Sequence, residues 1–83
     1  MPDLISFCLA MLISSEMTVY LTEKPLVTYK DASSCAVSAL KLRSELNKKT
    51  GIIIIRSCGC VSVSRALEEG IINMSQLYSL RSI

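Results

Sequence analysis

Cys58, Gly59 and Cys60, with Arg65 shortly after them, are the residues whose types and spacing best suit chemistry. Two thiols one residue apart can chelate a soft metal or cycle as a redox couple, and a glycine between them lets a turn bend tightly. The set is short of a zinc site, which wants four ligands, typically in C-x-x-C pairs. The other cysteines are Cys8 and Cys35, and the chain has no histidine, so imidazole drops out of every catalytic or metal-binding scheme. No metal site and no cofactor are therefore assigned. Cys58 and Cys60 stand as the candidates for a metal and, with Arg65, for catalysis. The plainer reading makes them small residues packed in a tight turn.

Ile55 to Ser64 has the outline of a loop between a strand and a helix, where amide N–H groups and a helix N-terminus can wrap an anion and lower a thiol pKa. In this it resembles two families. The cysteine-based phosphatases place five residues between cysteine and arginine, whereas here six separate Cys58 from Arg65 and four separate Cys60 from it. The sugar phosphotransferase IIB proteins carry a Cys-Gly start and a serine-rich continuation, onto which Cys58, Gly59 and Ser64 can be laid, though after a strand placed elsewhere in the chain. These resemblances imply a small cysteine-dependent anion-loop protein, acting by phosphoryl transfer or redox chemistry, as the alternative function.

Val61 to Gly70 also has the flavour of a DNA-recognition helix, with small polar residues and an arginine for a groove. The partner helix of such a motif belongs about four residues upstream. That place is taken by a run of isoleucines. The net charge of +2 is mild, and Lys41, Arg43, Lys48 and Lys49, interrupted by Glu45, look like a solvated helix face. Nucleic acid is not the expected partner, and a DNA-binding regulator is kept as the second alternative. The acidic residues Asp3, Glu16, Asp31, Glu68 and Glu69 show no spacing that makes a catalytic pair.

The elements that must position these residues are set by an 83-residue chain, enough for one domain over residues 1–83 and too short for two. Its residues are 51% hydrophobic but only 5% aromatic, so the core must come from Leu, Ile, Val, Ala and Met. The expected fold class is α/β, in the order helix, strand pair, helix, buried strand and helical C-terminus. Pro2 and Asp3 suit a helix start, and Leu4 to Ile13 is apolar nearly all round, as in a helix that docks on a partner or lies on a membrane surface. Met17 to Tyr29 alternates like a strand pair or one bent edge strand, with Pro25 in the turn or on an edge.

Asp31, Ser33 or Ser34 caps a helix whose stripe is Ala32, Cys35, Ala39, Leu42 and Leu46, and Gly51 stops it. Ile52 to Ile55 reads as a strand covered on both faces, delivering Cys58 and Cys60 to a turn and closing a right-handed crossover with a parallel strand near Val19. A short helix follows from Ser64 and ends at Gly70. Asn73 to Gln76 is a capping box for another, carrying Met74, Leu77, Tyr78 and Leu80.

Four cysteines in a short chain suggest disulfides where the chain is exported. No Lys or Arg precedes the apolar run, which stops at Ser14, Ser15 and Glu16, short of the ~20 residues that span a bilayer. Reduced cysteines and a cytoplasmic setting are expected from this. The expected function is a non-enzymatic accessory or interaction protein. It docks on a protein partner or a second copy through Leu4, Phe7 and Met11 of the apolar N-terminal helix.

Overall fold

A computed structural model describes residues 3–49, 51–78, 81 and 82, the last two by backbone alone. The expected helix start at Pro2 and the place of Leu80 lie outside these. Three strands form an antiparallel sheet in the order β2-β1-β4, with β1 spanning Leu4–Leu12, β2 Met17–Thr22 and β4 Ile53–Ser62. Between β2 and β4 come β3 (Val27–Thr28) and helix α1 (Ala32–Asn47). After β4 follow two short helices, α2 (Val63–Glu68) and α3 (Met74–Tyr78), and β5 (Arg81–Ser82), which pairs in parallel with β3. The architecture is mixed α/β, three antiparallel strands and three helices.

The apolar N-terminal run is thus a strand, not a helix. Residues 4–13 occupy the centre of the sheet, paired with β2 on one side and β4 on the other. Its side chains alternate by size: Ser6, Cys8 and Ala10 are buried on the face that carries α1, while Ile5, Phe7, Leu9 and Met11 point to the opposite face. The hydroxyl contact between Ser6 and Ser38 of α1 fixes which face is which. Small residues let the helix approach closely, and every backbone group of a central strand can be paired by its neighbours.

The expected crossover is also corrected. β4 runs antiparallel to β1 and is not a neighbour of β2, so no parallel strand-helix-strand unit forms. Nor is β4 covered on both faces. It is an edge strand on which Ile54 is 45% exposed, as is Ile52, at 58%, just before it.

Helix α1 follows its sequence signals closely. Asp31 is the N-cap, accepting from the Ser34 N–H at 2.7 Å, and Cys35, Ser38, Ala39 and Leu42 are buried against the sheet. Beyond the helix, Gly51 takes the left-handed conformation (φ 81°) that reverses the chain into β4. Among the described residues, the other face of the sheet is covered at one end only. There Ile5 packs with Leu26, Ala66, Ile71 and Ile72, with Phe7, Val61, Val63 and Leu67 against them. The Asn73 and Gln76 capping box forms as its spacing predicts, each side chain accepting from the other's backbone N–H at 3.0 Å. Among the described residues no helix is long and apolar enough to cross a membrane.

Candidate functional site

The cysteines are oxidised, which overturns the expectation of reduced thiols. Cys8 and Cys58 face each other across the β1–β4 pair and form one disulfide, with Cα atoms 4.0 Å apart. Cys60, two residues along and therefore on the same face, reaches up to Cys35 in the first turn of α1 to form the second. No cysteine is left free. A disulfide sulfur offers no thiolate to a metal or a phosphate, so the expected uses of Cys58 and Cys60 have no nucleophile or ligand behind them in this state. Among the described residues no three of Cys, Asp and Glu gather as a metal site would require.

The Cys58-Gly59-Cys60 turn is corrected as well. These residues lie inside β4, paired with Cys8, Phe7 and Ser6, and the chain does not turn until Ser62 caps α2. Arg65 donates to Glu69 at 2.5 Å on an exposed surface of α2, and this raises its already high pKa, first through the hydrogen bond and then through the Glu69 charge. The anion loop is therefore absent among the described residues. Neither does the DNA-reading arrangement form, because α2 has six residues and the element before it is a strand.

A polar cluster that the sequence pattern did not reveal joins β1 to the N-terminal half of α1. Glu23, in the β2–β3 connection, accepts from Ser6 (2.8 Å), Ser38 (2.6 Å) and Tyr29 (3.0 Å), while the Tyr29 hydroxyl also lies 2.7 Å from the Ser38 oxygen. Burial raises the Tyr29 pKa above its ordinary value; the Ser38 hydrogen bond opposes this and Glu23 reinforces it. Each group is spent on another within the cluster, and no buried side-chain polar atom among the described residues lacks a partner. The four residues come from four separate segments. The arrangement ties helix to sheet rather than leaving a base or hydroxyl poised for a substrate.

The surface that does stand open is the half of the sheet face that α2 leaves bare. Strand alternation places Leu9, Met11 and Ile13, Tyr20 of β2, and Ile52 and Ile54 together there. Ile13 is 45% exposed and Tyr20 38%, alongside the two isoleucines already described. Phe7 borders the patch, its ring edge-on to Tyr20 at 5.9 Å. Arg56, at the bulge in β4, lays its guanidinium 3.8 Å from the Met11 sulfur. Of the expected docking residues, Met11 thus falls in the patch and Phe7 on its border. Leu4 lies at the far end of β1, bridging Tyr29. The large-small alternation along residues 5–11 was the signal that could have located this face.

No protein-family model, no curated protein and no solved structure matches the chain.

Proposed function

We propose that this protein is a non-enzymatic accessory, stapled by two disulfides for an oxidising compartment, that holds a protein partner on the bare half of its sheet. The open apolar surface from three strands carries this reading, because large contiguous apolar patches on small proteins mark interaction sites. Arg56 lies against it through Met11, so the partner of best fit presents apolar side chains and a carboxylate for that guanidinium. The paired cysteines support the oxidising compartment, since disulfides persist where thiols are not kept reduced. The expected cytoplasmic setting rested on reduced thiols and loses its support. Docking through a strand face also replaces docking through an N-terminal helix.

The test begins with a photoreactive side chain at position 54, compared with one at Lys41 on the exposed side of α1, in cells that make the protein. Position 54 should yield a discrete cross-linked partner. With that partner purified, Ile54→Asp and Arg56→Glu are each expected to weaken binding by about 10-fold or more, and Lys41→Glu to leave it unchanged. Cross-linking no different at the two positions, or full binding by Ile54→Asp, would sink the reading.

A further inference from the structure

The outer edge of β4 is a separate surface from the sheet face, and its seven residues from Arg56 to Ser62 have a definite end at each side. The bulge at Arg56 interrupts the ladder on one side, and α2 begins on the other. Backbone groups alternate in direction along a strand. Leu4 bonds to Tyr29, Val63 to Asp3, and Ile13 to Ile52. Those bonds turn Ser57, Gly59 and Val61 towards β1 and leave the N–H and C=O of Cys58 and Cys60 facing outwards from the sheet. Natural edges are blunted by proline, lysine, inward charges, bulges or shortness. Between its ends this stretch has none of these; Arg56 and its bulge stand at its limit.

Gly59 adds an independent observation. A glycine inside a strand costs stability and often marks close approach by another backbone. Among the described residues nothing requires it: its φ is not in the left-handed region, and an added Cβ would meet no described atom within 4 Å. We infer that β4 pairs antiparallel with β4 of a second copy about a twofold axis through Gly59, making one continuous six-stranded sheet.

In this register Cys58 of each copy faces Cys60 of the other, Ser57 faces Val61, and Arg56 faces Ser62. The outward groups of Cys58 and Cys60 then exchange about four main-chain hydrogen bonds across the axis, and the two Arg56 side chains do not oppose each other. The axis stands perpendicular to the sheet, so both α1 helices lie on one side. Leu40, 68% exposed, and Ala36 border a groove of 340 Å³ along this edge and come under cover of the second copy. Both bare sheet halves lie on the other side, which makes the dimer bivalent for a partner.

The contact is small. Seven paired residues span about 24 Å, and across a molecule 17 Å thick the footprint is on the order of 400 Å² per copy, at the low end for specific association. The dimer is therefore weak and dependent on concentration.

Sedimentation equilibrium of the oxidised protein should show dimers near ~1 mM that dissociate on dilution to ~10 µM, as befits so small an interface. Gly59→Lys and Gly59→Glu each put like charges face to face on the axis. Both should be monomeric at ~1 mM, and an equimolar mixture should recover a heterodimer. Amide exchange on the unmodified chain gives a second readout, independent of how the variants fold: the N–H groups of Cys58 and Cys60 should exchange about 10-fold more slowly at high concentration than at low. A wild-type monomer at every concentration, or homodimers of both variants as strong as wild type, would overturn the inference. So would exchange at Cys58 and Cys60 that ignores concentration. The position 54 cross-linking experiment is unaffected by these outcomes, because it reports on the sheet face and not on its edge.

Discussion

Glu16 closes the β1–β2 hairpin with φ of 55°, a left-handed conformation that a side chain with a Cβ adopts at a cost. Glu16→Gly relieves that strain but loosens the unfolded chain, so the net gain expected in urea unfolding is about 0.5–1 kcal/mol. Asp31 works through charge. Hydrogen bonds from Ser33 and Ser34 hold its carboxyl below the ordinary 3.8, so its stabilisation is complete above that pH and disappears as pH falls through the depressed value. Asp31→Ala should lower the melting temperature at pH 6, and the gap from wild type should narrow below pH 3.8. Tyr29 behaves oppositely at the alkaline end. Its raised pKa keeps the phenol protonated in the fold, a contribution present below pH 10 and lost as pH rises through the folded value. Tyr29→Phe should make melting temperatures measured from pH 9 to 12 less steeply dependent on pH.

At the scale of elements, α1 was legible because capping and stripe act within one helix. Asp31 three residues before Ser34, and Cys35, Ala39 and Leu42 at helical spacing, need no distant partner to be read. The first strand was misread because hydrophobicity alone does not separate a buried helix from a central strand. Its size alternation, with Ser6, Cys8 and Ala10 small beneath α1, is what distinguishes the two. The edge strand was misread for a related reason: the isoleucines from Ile52 to Ile55 do not reveal that one face is bare. Of the short C-terminal helices, α2 is capped by Ser62, two residues before the start expected at Ser64, while α3 follows its Asn73 cap, and that box supplies a local test. Asn73→Ala should abolish the hydrogen bond to the Gln76 N–H and speed that amide's exchange, with little change in global stability.

Over the whole molecule, the disulfides hold together a chain with few large core residues. Ile5 and the two cysteines Cys8 and Cys35 are among its largest fully buried side chains. Closing loops of 50 and 25 residues stabilises by about 3–4 kcal/mol each in the chain-entropy account. Replacing Cys8 and Cys58 together by alanine should cost about 4 kcal/mol in denaturant unfolding, and Cys35 with Cys60 slightly less, a large share of the 5–15 kcal/mol typical of a domain. Composition, the missing histidine, the α1 signals and the two glycine-marked turns at Gly51 and Gly70 were determined by sequence alone, since each acts over a few residues. The strand order, the pairing of four cysteines, the Glu23 cluster and the bare sheet half were decided by tertiary structure. Each of those depends on residues far apart in the chain, as Cys8 and Cys58 are, becoming neighbours only when β1 takes its place between two other strands. The Cys58-Gly59-Cys60 segment shows the division: its residue types advertised chemistry, and its place in an edge strand turned two of them into staples and left the third unexplained within a single copy.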